Sequence, residues 1–162
     1  DMVRVGLAAY GMMDGFEQVL SWKTRIVFMK TVRAGARISY GGAFTARRQT
    51  TVATLPVGYA DGYLRALSNK ASVLVGGRAC PVIGNVTMDM TMADVTGVEA
   101  ASVGSEVTLI GRDGGSGVSA SDLAALAGTI PYEIATLITA RVPRVYTIRK
   151  EAAAEKVRAA GT

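Results

Sequence analysis

Any base chemistry in this chain has to be done without an imidazole. The sequence contains no histidine, so Ser–His and Cys–His nucleophile pairs and histidine general-base catalysis are excluded within it. Proton transfer falls to Tyr, Lys, Asp, Glu or the single Cys80. That thiol has no internal disulfide partner, and no Cys/His cluster has metal-ligand spacing, so no metal site is expected and a reducing, cytoplasmic compartment fits. The first candidate is Tyr40 in "RISYGGAFTARRQT", residues 37–50, a phenol set between a serine and two glycines. Glycines bring backbone close to a ligand and leave a hydroxyl accessible. A phenol ordinarily holds its proton to about pH 10, so a basic one needs a cation nearby. Arg37, Arg47 and Arg48 are close in sequence. The same residues also suit an ordinary glycine turn.

Two further stretches carry polar groups at close spacing. "LPVGYADGYLRALSN", residues 55–69, offers the Tyr59 phenol and the Asp61 carboxylate on adaptable backbone, or simply a polar turn between strands. "GNVTMDMTMADV", residues 84–95, alternates Met88, Met90 and Met92. In a regular strand these share one face, as core filler. Asp89 then points the other way and Asp94 returns to the methionine face, which rejects a metal or two-acid site. The glycine-rich "GRDGGSGVSASD" lacks the Lys-Ser ending of a phosphate loop and the dinucleotide spacing, so it reads as a flexible connection.

The elements that must hold these groups are mostly strands. The 162 residues and 49% hydrophobic content are enough for one domain with a real core, with or without a small extension. The net charge of +5 is scattered, its densest cluster being Arg47-Arg48. Scattered charge argues against nucleic acid, and attraction for an anionic small molecule is equally compatible with it. No apolar run approaches a membrane span, and "DMVRVGLAAYG" lacks the features of a secretory leader. Strands are expected at "MVRVGLAAYG", with Arg4 facing away from Val3 and Val5, along the whole of "WKTRIVFMKTV", and at "TTVATLPVGY", which Pro56 closes. A Gly76-Gly77 hairpin, "MTMADVT" and "SEVTLIG" follow. Short strands with glycine turns predict a small β-barrel or sandwich over roughly 20–111. "SASDLAALAG" then reads as a helix with Ser119 or Ser121 as cap and Gly128 as stop. "TIPYEIATLI" reads as a second helix with Pro131 in its first turn. "PRVYTI" reads as a strand and "RKEAAAEKVRAAGT" as a solvated helix or frayed end.

The order "MVRVGLAAYG", "SYGGAFTA", "LPVGYADGYLRALSN", "PVIGNVTMDMTMADV", "VGSEVTLIG", "LAGTIPYEIATLITARVPRVY" resembles the C-terminal part of alanine racemase over residues 1 to about 148. The "VGYADGY" and "SYGG-aromatic-T" stretches are its most specific parts. The resemblance implies a mainly β fold, a small β-barrel-like C-terminal domain with two late helices. Residues 1–19 would be the last strand and connection of an N-terminal (β/α)8 barrel, 20–148 the β domain, and 149–162 a tail. It implies pyridoxal 5'-phosphate as cofactor, L- and D-alanine as substrates, and a head-to-tail homodimer whose partner's site this lobe completes. By the same likeness Tyr40 is the catalytic base, and Arg4 bonds the pyridine nitrogen. Gly6, Leu7 and Tyr132 hold the cofactor phosphate, Tyr59 and Met88 face the substrate, and Asp89 supports them.

The family's Schiff-base lysine lies early in the barrel, and Lys23, Lys30, Lys70, Lys150 and Lys156 match no such position. The resemblance therefore implies a fragment inactive alone. Met90 stands where the family usually has glutamine. A non-catalytic basic binding module and a racemase of another amino acid, such as serine, remain open as rival readings.

Overall fold

The computed structural model describes residues 2–12 and 15–147. After a 3₁₀ turn at Gly6–Tyr10 come β1 (Trp22–Arg25), β2 (Phe28–Val32), β3 (Arg37–Ile38), β4 (Phe44–Thr45) and β5 (Thr50–Leu55). β6 (Ser72–Val75), β7 (Arg78–Pro81), β8 (Thr91–Asp94), β9 (Glu106–Asp113) and β10 (Ser116–Val118) follow, then helices α1 (Ala120–Ala127) and α2 (Pro131–Leu137). One sheet has the order β1-β9-β6-β7 with β10 on β9, a second is β2-β5-β8, and β3-β4 is a short hairpin. Every strand pair is antiparallel. The fold is mainly β with two late helices, as expected.

The run at 22–32 is two strands, not one. β1 pairs with β9, whereas β2 pairs with β5 in the other sheet. The change happens at Ile26 and Val27, whose N–H groups donate to Ser105 and Thr54 carbonyls respectively. The stretch looks apolar on both faces because its halves serve two sheets. The glycine hairpin is as read: Gly76 and Gly77 join β6 to β7 with φ of 55° and 77°, the pair of positive values that a type I′ turn demands.

Three other expectations are corrected. The expected first strand is absent: residues 2–5 have no partner strand among the described residues, leaving Met2, Val3 and Val5 exposed, and the chain coils into the 3₁₀ turn. Alternation of side chains cannot make a strand without a ladder to join. The expected flexible connection at 111–118 is the β9–β10 hairpin. It is tied to the Gly76-Gly77 turn by Gly77 N–H donating to Asp113 Oδ2 at 2.8 Å and by Ser116 Oγ donating to the Gly77 carbonyl at 2.8 Å. Residues 143–147 form no strand, because Arg144 turns back and donates to the carbonyls of Ile138, Thr139 and Val142 at the end of α2. Ile148 and the tail lie outside the described residues.

The main core gathers Leu55, Val73, Val75, Leu109, Ile110 and Leu123, all essentially without solvent contact. Each such side chain contributes about 1.5–3 kcal/mol by burial. Trp22 meets Tyr63 edge-on there, with ring centroids 6.0 Å apart. Helix α1 begins at Ser119, which exchanges hydrogen bonds with Asp122 in a capping box, and ends at Gly128 with φ 76°. A smaller cluster of Ile38, Ala46, Val52 and Ile83 backs the β3–β4 hairpin. Two-residue strands supply too few ladder bonds to stand alone. The packing beneath fixes that hairpin.

Candidate functional site

The β3–β4 hairpin carries the "SYGGA" turn at its tip, and Tyr40 stands on it with 77% of its surface exposed. The turn is under backbone strain. Ser39 has φ 66°, a region that a residue with a Cβ rarely adopts, and Gly41 and Gly42 are also left-handed. Hydrogen bonds hold it there. Ser39 Oγ donates to the Asn85 carbonyl at 3.0 Å and accepts from Asn85 N–H at 3.1 Å, and Asn85 Nδ2 donates to the Tyr40 carbonyl at 3.1 Å. Asn69 braces the same corner, donating to the Ala43 carbonyl at 3.1 Å and accepting from Gly84 N–H at 2.6 Å. Gly84 is required for this contact, since a Cβ there would fall 2.5 Å from Ser39 Cβ. Arg37 donates to the Gly41 carbonyl at 2.6 Å, and its guanidinium fills the space a Gly42 side chain would need. Of the glycines after Tyr40, Gly42 is crowded by Arg37, whereas Gly41 has open space and is needed for its left-handed backbone.

The other two stretches close onto this corner. Residues 87–90 form a turn, not a strand: Thr87 N–H donates to the Met90 carbonyl at 2.9 Å, and Met90 N–H to Thr87 Oγ1 at 3.1 Å. The expected methionine stripe is therefore broken. Met88 and Met90 lie exposed on the turn, and only Met92 reaches β8, where it packs on the smaller core cluster. Against this turn lies the "VGYADGY" loop, with Tyr59 N–H on the Thr87 carbonyl and Ala60 N–H on the Met88 carbonyl, both at 3.0 Å. Gly58 permits that approach, because a Cβ would sit 2.2 Å from the Thr87 oxygen. The far side of the loop is held to the end of α2, where Thr139 N–H donates to the Asp61 carbonyl and Thr139 Oγ1 to the Ala60 carbonyl, both at 3.0 Å.

Tyr40, Tyr59, Met88 and Asp89 thus line one open concavity of about 570 Å³, together with Arg65 and Asn85. Arg65 and Asn85 were not singled out in the sequence. Arg65 lies on the "YLRAL" stretch already flagged, whereas Asn85 acts through a turn distant in sequence. Gly6, Leu7, Tyr132 and Arg4 do not line this concavity. Gly6 lies beside Tyr132, 3.8 Å separating an ideal Gly6 Cβ from Tyr132 Cε1. Leu7 is buried, and Arg4 is exposed. Tyr132 is half-exposed in the first turn of α2, where Pro131 suits the fixed φ. A separate cleft of about 520 Å³, lined by Tyr10, Leu20, Trp22, Ile138, Val142 and Tyr146 among others, contains none of the candidate residues.

Arg141, which the sequence did not single out, joins two of the candidate carboxylates. Arg141 Nε lies 3.2 Å from Asp61 Oδ1, and its Nη2 lies 2.6 Å from Asp89 Oδ1. Asp89 first and Asp61 second hold the guanidinium proton more tightly than usual. Asp61 is nearly buried, and its Oδ2 accepts the Gly58 N–H at 2.9 Å. Among the described residues no three His, Cys, Asp or Glu side chains group so as to hold a metal ion, and no helix is long and apolar enough to cross a membrane.

The sequence profile of "Alanine racemase, C-terminal domain" matches residues 19–146. Alanine racemase from Symbiobacterium thermophilum is 50% identical over 154 residues, covering 90% of this chain and 41% of that protein. A crystal structure of alanine racemase from Bacillus anthracis with bound L-Ala-P superposes with a TM-score of 0.82 at 38% identity, covering 89% of this chain and 39% of that one. The Bartonella henselae alanine racemase with covalently bound pyridoxal phosphate gives 0.80 at 30% identity, over 87% of this chain and 40% of that one. The chain spans about two fifths of the length of the curated relatives it matches.

Proposed function

The chain belongs to the alanine racemase family through its C-terminal domain, and on that premise we propose that it is the lobe supplying the tyrosine base of a pyridoxal-phosphate-dependent alanine racemase. The carrying observation is Tyr40, exposed at the tip of a hairpin that Ser39, Asn69 and Asn85 brace from behind. In this reading the Tyr40 hydroxyl takes the α-proton of alanine or returns it on one face. Arg65 brings a fixed positive charge to the same concavity, which favours a substrate carboxylate. Tyr59 and Met88 shape the substrate side, with Asp89 beneath.

The residues present fit the phosphate end of the cofactor. Gly6 has no side chain to intrude on the adjacent Tyr132 ring, so its backbone and the phenol hydroxyl are available to one small anion. Leu7 would add a second backbone contact. The cofactor, when bound, supplies an electron sink for the α-carbon. Arg4 would bond the ring nitrogen and, because a guanidinium keeps its proton, would leave that nitrogen unprotonated. Gly6 and Tyr132 lie outside the concavity that Tyr40 lines, which agrees with a head-to-tail dimer in which Tyr40 serves the partner's cofactor. Residues 1–19 then join an N-terminal barrel that carries the Schiff-base lysine. The enzyme would act in the cytoplasm.

A racemisation assay tests this. The chain is mixed with a separately made alanine racemase barrel half and pyridoxal phosphate, beside the chain alone and a Tyr40→Phe mixture. Activity in the mixture only, lost with Tyr40→Phe, is expected. A mixture that assembles and binds cofactor yet stays silent, or activity from the chain alone, would overturn the reading.

A further inference from the structure

Arg141 follows α2 and does not itself line the concavity, yet its contacts run to both loops that do. Its guanidinium spends two different nitrogens on two carboxylates: Nε on Asp61, two residues beyond Tyr59, and Nη2 on Asp89, adjacent to Met88. Asp61 passes the constraint on, since its other oxygen holds the Gly58 N–H at the start of the Tyr59 turn. The backbone bonds from Tyr59 and Ala60 to the Thr87 and Met88 carbonyls tie the same two loops. Their fold therefore does not depend on Arg141. Thr139 already ties the Tyr59 loop to the end of α2, and Arg141 extends that tie to the Asp89 turn. The Tyr40 turn is braced by another set, Arg37, Ser39, Asn69 and Asn85, none of which bonds to Arg141 in the geometry above.

We propose that Arg141 is a positioning residue that sets how the Tyr59 and Met88 loops meet the substrate, and so governs substrate affinity while leaving proton transfer at Tyr40 alone. The substrate half of this rests on the racemase reading; the clamp itself does not. Removing the guanidinium leaves Asp61, nearly buried, without its counter-charge. An unpaired carboxylate there is driven toward water, which loosens the Gly58–Tyr59 turn. A lysine keeps the charge but has one nitrogen in place of a fork, so it cannot span both carboxylates.

The test uses Arg141→Gln and Arg141→Lys in the complete racemase, together with methionine-methyl NMR on the full chain. The expected result is a KM for alanine raised roughly five- to tenfold in both variants, with kcat within about twofold and its pH profile unmoved. The Met88 methyl resonance shifts or broadens, whereas that of Met29 on β2 stays in place. An unmoved Met88 signal sinks the clamp whatever the activity. A fall in kcat at constant KM, or full rescue by lysine, overturns its assignment to substrate affinity. If Met88 responds but the unmutated racemase is inert toward alanine, the racemase reading fails and its substrate half with it, while the clamp stands.

Discussion

At the tip of the β3–β4 hairpin the Tyr40 ring is held out into solvent, whereas Tyr63, at the end of the "VGYADGY" loop, is sealed in the main core against Trp22. Both tyrosines have a glycine next to them, and the two glycines do opposite things. Gly41 has φ 68° and open space where a Cβ would go. Gly62 has φ 107°, and a Cβ there would lie 2.3 Å from the Leu137 carbonyl oxygen. The first glycine lets a turn reverse beneath an exposed phenol. The second lets the loop press onto the end of α2 and drive its phenol inward. Tyr63 Oη is the only buried side-chain polar atom among the described residues without a hydrogen-bond partner. Burial pushes its phenol well above the usual range. A tyrosine kept for its ring and a tyrosine kept for its hydroxyl look alike in sequence and differ in what stands behind them.

The contrast breaks most sharply at Tyr40. Tyr40→Phe is expected to lower racemisation by about 10²–10⁴-fold, the usual worth of a general base, with no change in melting temperature. A matching loss of stability would mean that the ring packs after all. Tyr63→Ala should do the reverse, costing about 3–5 kcal/mol in urea unfolding through the cavity it leaves. The two glycines give a finer comparison: Gly41→Ala costs about 1–2 kcal/mol for its left-handed backbone alone. Gly62→Ala adds a backbone clash and should exceed it, and equal urea midpoints would refute the packing argument.

The smallest effect is the most particular. Tyr63→Phe removes an unpartnered hydroxyl and should be within about 1 kcal/mol of the parent at neutral pH. Because the folded phenol holds its proton above the unfolded value of about 10, the folded state binds more protons in alkali. Tyr63's contribution is therefore whole below about pH 10 and declines as pH rises beyond it. Urea midpoints at about pH 8 and about pH 11 should fall further for the parent than for Tyr63→Phe; parallel falls would rule that out.

Local signals in the sequence were sound where a local rule decides the backbone. Gly76-Gly77, the Ser119 cap, the Gly128 stop and Pro131 all stand where their chemistry places them. Readings failed where distant partners decide. The 22–32 run looked like one strand because periodicity cannot register a change of sheet at Ile26. The methionine alternation was real, but Thr87 bonds its own turn and breaks the strand that would have used it. Tyr40 and Tyr59 stand out by their glycine-rich surroundings, family likeness gives them and Met88 their roles, and all three line one concavity. Arg141 was not reached, because its carboxylates come from two loops far upstream and nothing in "TARVPRVY" announces them.

The indole of Trp22 is the only one in the chain. It is almost wholly buried, one neighbour being Tyr63 in the core and another boundary being the cleft beside Tyr10 and Tyr146. Excited selectively over its tyrosines, the chain therefore carries a single indole emitter at the seam between its core and that cleft. Its emission wavelength reports whether the core is intact, and its quenching by iodide reports whether anything covers the cleft, whereas a small molecule in the Tyr40 concavity, whose lining contains no tryptophan, makes no direct contact with it.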